Sequence, residues 1–478
     1  MLDSGGGGGG SAVGSLSGLI AAAAAKAELM HLGWTEEGDY RLSRSFETDG
    51  SPSDPVHAQA RVEVDTYSGQ YTTECVGPGA SISKDNWVEQ ATGVVKKWGP
   101  KIDDLFTRWR DLPSRYTSGP LVAWGAKELN FDPTNPTSVS DDAGSVNSRL
   151  AGDLERLRSR ARELTGQYAK MFADYYVNDL GTTIQAQDRL LAALAVASTA
   201  QGEVWGRAEH DLLTFQQDAL KAMESSGPAG GPDSGVVLGL TIVGALAAAL
   251  AAVPTLGGST ALFGVISAGA VIGAGVEGAK KAKTDFADLP LGASHPDQVF
   301  THMDDALKRL NREIRTQEQG IQDFLVKFKR FADSGACELA RPELNSAPAG
   351  EVLSPHQPLT VDKRAIAEIT ELWLPSVAGD LRQAERYLVI TVNDGFHRGT
   401  DVGVAPDGAW TEYDALQSRA SQLLTSTAAD LEGAADKLEQ AARLIGMTDD
   451  QISDHYRGIE KQVEDRNLND TDDVRPLL

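Results

Sequence analysis

The stretch "LLAALAVASTAQGEVWGRAEHDLLTFQQDAL", residues 190–220, contains no proline and sets Leu190, Leu194, Ala197, Val204, Ala208, Leu212, Phe215 and Ala219 at multiples of three to four residues. That spacing lines one face of a helix, whereas a half-buried strand would alternate at every second residue. The same period recurs on both sides of it. Trp87, Ala91, Val94, Trp98, Ile102, Leu105, Trp109 and Leu112 form one stripe. Val146, Leu150, Leu154, Leu157, Ala161, Leu164, Tyr168, Met171 and Tyr175 form a second. This one predicts a single helix over 144–180, roughly 55 Å long at 1.5 Å per residue. Further on, Met303, Leu307, Leu310, Ile314, Ile321, Phe324, Phe328 and Phe331 form another. The pattern predicts an all-α protein: an elongated antiparallel helical bundle over 83–335.

Between these helices lies a segment of different character. No charged residue occurs between Asp233 and Glu277. Two apolar arms, 236–253 and 261–276, flank a turn at "PTLGGST". The first arm would be about 27 Å long as a helix, near the hydrocarbon thickness of a bilayer. Gly235, Gly239, Gly244, Gly264, Gly269 and Gly273 supply small positions along it, several at four-residue spacing, where helix backbones can approach closely. Residues 235–279 therefore read as a Gly/Ala-rich apolar hairpin with Lys280, Lys281 and Lys283 beside its return arm. Three readings stay open: a membrane anchor, a hairpin sheltered in the folded chain and exposed on membrane contact, or a hairpin that never leaves the core.

Residues 31–82 alone have strand character. "HAQARVEVD" alternates at period two, and a turn is expected at Ser68–Gly69 of "YSGQY". Residues 1–30, with six consecutive glycines and "AAAAA", read as a flexible leader. The only early charge is Asp3, so a cleavable secretory signal with its basic start is not expected. The 478-residue chain has 68 acidic against 44 basic side chains, a formal charge of −24. Such a surface repels phosphate backbones, which argues against nucleic acid as a partner. Cys75 and Cys337 read as two free thiols, with pairing left open.

A proline-rich linker over 336–357 precedes two long amphipathic segments, expected as a separate helical hairpin over 358–466, and an acidic tail over 467–478. The second segment is expected to stop at Gly446 and to restart with Thr448 as N-cap and Gln451 closing a capping box. Its "LTVDKRAIAEI" and "AADLEGAADKLEQAARLIGMTDDQISDHYRGI" resemble the helical-hairpin substrates of the type VII (ESX) secretion system of actinobacteria. The resemblance covers under a quarter of the chain. It implies export without a cleaved signal, to the cell surface or beyond, and pairing with a second helical-hairpin protein or with another copy. That family's Tyr-x-x-x-Asp/Glu export signal would fall at Tyr456–Glu460, with Tyr175–Asp179 as the alternative. The turn departs from the family, since no Trp-x-Gly occurs and Trp410 reads "WTEY". The order of long helices, apolar hairpin and long helix is also similar in plan to α-helical pore-forming toxins.

No chemistry is spelled out. The eight histidines form no metal-binding motif, and neither a phosphate loop nor a nucleophile elbow occurs. "TDDQISDH" gathers Asp449, Asp450, Asp454 and His455, but acidic residues belong in a first helical turn. The expectation is a non-enzymatic secreted protein with no cofactor and no metal, its partners being a helical hairpin, the export machinery and membrane lipid. A pore-forming component and a plain scaffold are the alternatives.

Overall fold

The computed structural model describes residues 8–48, 58–68, 70–76, 84–131, 147–164, 172–228, 291–339, 363–389, 395–397, 401–404 and 406–444. The described chain is mostly helical, with one small four-stranded antiparallel sheet. The apolar hairpin with its six glycines, Tyr456, Glu460 and the Gly446–Gln451 restart lie outside the described residues.

The first helix, α1, is Gly8–His31. The expectation of a flexible leader is corrected here from Gly8 onward. Alanine is the best helix former, and Ile20, Ala22, Ala23, Ala24, Ala25, Ala27 and Leu29 are buried against the next helix and the central one. Small side chains let three backbones approach, and that burial outweighs the cost of the glycines before it.

The sheet follows as a meander of β1 (Thr35–Glu36), β2 (Arg41–Thr48), β3 (Ala58–Asp65) and β4 (Tyr71–Val76), in that order. Leu42 and Val64 face each other across β2 and β3 and are fully buried. The β3–β4 hairpin closes where the alternation predicts. The Asp65 carboxylate accepts from the N–H groups of Tyr67 at 2.9 Å and Ser68 at 3.2 Å. Partial burial opposes its charge, but those donors outweigh it and hold the carboxyl below the usual range.

Four helices come next: α2 (Lys84–Thr107), α3 (Gly119–Leu129), α4 (Ser148–Glu163) and α5 (Asn178–Glu224), the last preceded by a π-helical turn, Phe172–Val177. The single helix expected over 144–180 is corrected. The Leu164 N–H reaches back to Ala161, and Leu164 itself is extended (φ −73°, ψ 134°), so α4 ends there. The following Thr165–Gly166 are poor helix formers. Asn147 starts α4 by accepting from the Leu150 N–H at 3.0 Å.

α5 is the axis of the fold, about 70 Å long at 1.5 Å per residue. Its apolar residues go well beyond the expected stripe, since Leu190 through Ala197 are all buried. A helix apolar on every side sits inside others, here α1, α3, α6 (Pro296–Ala332) and α8 (Trp410–Leu444). α3 lies so close that a Cβ on Gly119 would stand 2.9 Å from the Thr199 backbone nitrogen.

The C-terminal pair consists of α7 and α8. α7 runs through Lys363–Ala367, a π-helical turn Glu368–Trp373 and Leu374–Val389. The pair does not stand apart from the rest: its buried residues join the same core, α7 against α3 and α8 against α5 and α6. Gln187 of α5, fully buried, donates to Thr427 Oγ1 at 2.7 Å and to the Cys337 carbonyl at 3.0 Å. Cys337 is a free, buried thiol, pushed up to about 11 by burial and so unreactive.

Candidate functional site

Segment 229–290 leaves the described fold after α5 and returns before α6, and both ends meet at the tip of α1. α5 closes through Ser225 and Ser226, whose N–H groups return to Lys221 and Met223. The Ser226 carbonyl accepts from His31 Nε2 at 2.8 Å. A Cβ on Gly227 would lie 3.6 Å from the Met30 sulfur. On the return, Leu291 and Ala293 are buried, and His295 caps α6 by accepting from the Asp297 N–H at its Nδ1, with Pro296 in the first turn. The rings of His31 and His295 stack with centroids 4.9 Å apart. One imidazole thus touches both stems. Its partners assign the proton of His31 to Nε2 and leave Nδ1 of His295 bare.

Charged groups brace this root from three helices. Lys97 of α2 donates to Glu28 of α1 at 2.8 Å and to Asp297 of α6 at 3.3 Å. Lys101 donates to Asp297 at 2.8 Å and lies over the rings of Trp98 and Phe300. Partial burial works against the Asp297 charge, but the two lysines outweigh it and hold the carboxyl low. Lys97 is likewise held above its ordinary value by Glu28 and Asp297, against its own desolvation.

A second connection, between α7 and α8, is held differently. Glu318 of α6, fully buried, accepts from the Val404 N–H at 2.7 Å and from Gln201 of α5 at 2.9 Å. Asn311 accepts from the Gly403 N–H at 2.6 Å, and Gln322 donates to the Gly408 carbonyl at 2.7 Å. Trp205 of α5 donates to the Gly395 carbonyl at 2.7 Å. Trp410, which opens α8, stacks with Tyr413 and lies against Phe396 and His397.

Of the expected signal residues, Tyr175 is in the π-helical turn and Asp179 in the first turn of α5; the side chain of Tyr175 is outside the described residues. Sequence reasoning missed His31, Ser226, His295 and Glu318. "SSGP" after α5 and "HPD" before α6 are readable stop and start signals, but nothing in sequence brings His31 to them. Among the described residues no helix is long and apolar enough to cross a membrane, and no group of three or more His, Cys, Asp or Glu could hold a metal ion. No family model, no curated protein and no solved structure matches this chain.

Proposed function

We propose that this is a non-enzymatic, type VII (ESX)-secreted helical protein, acting outside the cell or at its surface, whose apolar segment enters membranes as a hairpin. The reading takes the helices as an elongated antiparallel bundle that shelters the hairpin until lipid is met. One observation carries it: both stems of segment 229–290 touch the same residue, His31. A hairpin that enters a bilayer and returns needs both ends on one side, and an uncharged segment with small residues at helical spacing suits close packing in lipid. The α7–α8 pair is the part that would meet the export machinery and a helical partner.

Liposome flotation of the purified protein at neutral and mildly acidic pH, with dye leakage read alongside, tests the membrane half. Flotation is expected, and the double substitution Gly239→Leu, Gly269→Leu is expected to reduce it at least tenfold. Leakage in addition would move the reading to a pore-forming component. No lipid binding at either pH would leave a scaffold. Export is tested separately: Tyr456→Ala and Glu460→Ala should each abolish secretion while the melting temperature stays unchanged, and normal export of both would shift attention to Tyr175 and Asp179.

A further inference from the structure

Among the described residues β4 has one strand neighbour, β3, and so ends the sheet. The hairpin geometry shows which of its backbone groups are spoken for. Asp65 N–H donates to the Gln70 carbonyl at 2.8 Å, so that pair is hydrogen-bonded. Antiparallel pairs alternate, and the register sets Glu63 opposite Thr72 and Arg61 opposite Glu74. The N–H and C=O groups of Thr72 and Glu74 therefore turn towards β3, and those of Tyr71, Thr73 and Cys75 turn outward. Proteins usually blunt such an edge with proline, lysine or a very short strand. β1, at the other edge, is two residues long. β4, "YTTECV", has none of these devices and is rich in β-formers.

Beside this edge lies an open depression of about 630 Å³ lined by Arg41, Glu63, Asp65, Gln70, Tyr71 and Thr72. Arg41 is 3.9 Å from Glu63, which leaves Asp65 as excess negative charge. Side chains alternate faces along a strand, so Glu63 and Asp65 share one face with Thr72, and the carboxylate excess on that face suits an ammonium or guanidinium group. The chain's charge of −24 repels another copy of itself and draws basic partners.

We propose that β4 is a docking edge for an extended, basic segment of a partner protein, which adds a fifth strand and places a lysine or arginine side chain over Thr72 towards Glu63 and Asp65. Main-chain bonds to Tyr71, Thr73 and Cys75 supply the affinity, and the depression supplies the preference for a cation.

The test uses the full chain and a fluorescent eight-residue peptide alternating valine and lysine, with fluorescence anisotropy as readout. A glutamate-for-lysine peptide should bind at least tenfold more weakly, and so should one N-methylated at alternate amides. Thr73→Pro, which removes an outward N–H and spares the ladder to β3, should abolish binding at unchanged melting temperature. Glu63→Lys should weaken it at least tenfold, and bound peptide should slow amide exchange at Tyr71, Thr73 and Cys75. Absence of binding, equal binding of the lysine and glutamate peptides, or full binding by Thr73→Pro would each overturn the proposal. So would a concentration-dependent dimer dissolved by Thr73→Pro, which would assign the edge to a second copy.

Discussion

Two helix–connection–helix units in this molecule are built alike and held differently. The α7–α8 connection is pinned from outside by α5 and α6, through Trp205, Asn311, Gln322 and the buried Glu318. The ends of the α5–α6 connection are tied by a carbonyl bond and a ring stack at the exposed His31, and by the largely exposed ion pairs of Lys97 and Lys101 with Asp297. A buried acceptor with two partners is costly to unmake, because each donor left behind is desolvated and unpaired. A tie that water can replace costs little. The difference predicts that the root of segment 229–290 opens at lower cost than the turn of the C-terminal hairpin.

The strongest way to break that comparison is Glu318→Ala. It strands the Val404 N–H and the Gln201 amide, and a loss of roughly 3–5 kcal/mol is expected in urea unfolding. A loss below about 1 kcal/mol would mean the clamp is no firmer than a surface tie.

An effect that belongs to neither connection comes next. Asp188, buried in α5, is pushed up to about 8 by desolvation, which the neighbouring Arg189 offsets in part. Its folded value stands above its unfolded one, so its stabilising protonated form is fully present in acid, and that contribution is lost as pH rises through about 8. Asp380, pushed up to about 7 by burial against the pull of Arg149, works in the same direction. Asp188→Asn is expected to stabilise the protein by on the order of 3 kcal/mol more at pH 8 than at pH 5. Melting curves at the two pH values check this, and an equal effect at both would show that Asp188 is not desolvated.

His31→Ala sharpens the comparison from the weak side. Global stability should fall by only about 1 kcal/mol, while amide exchange at Ser225, Ser226 and Gln298 speeds at least tenfold and that of Gly403 and Val404 stays unchanged. Acceleration at both places would show that the two connections open together. Smallest of all is Arg382→Ala, which removes the paired bonds to Glu432 between α7 and α8, at 3.0 and 2.7 Å. Both groups are exposed, so about 0.5 kcal/mol or less is expected.

Much of the fold was legible in the chain. The stripes that begin at Trp87 and Met303 are buried as the 3.6-residue period requires, with Trp87, Leu112 and Phe331 at their ends half-buried, and the alternation of "HAQARVEVD" became β3. Two readings of helix extent failed for identifiable reasons. Glycine content argued against a helix at the amino terminus, and burial between α2 and α5 overrode it. Periodicity carried the second stripe past Leu164, because a count of apolar positions is blind to a local backbone break. The site was less legible still. His31, Ser226 and His295 share no motif and are separated by up to 264 residues.

By itself the sequence determined the helical class, the small sheet, the uncharged segment and the acidic surface. Each of these depends on local period or composition, which act over a few residues. Tertiary structure alone decided that α5 would be the axis, that the C-terminal pair would share its core, that one histidine would touch both stems, and that Glu318 would hold a distant turn. Those outcomes depend on contacts between residues far apart in the chain, and such contacts follow from packing and the satisfaction of buried polar groups.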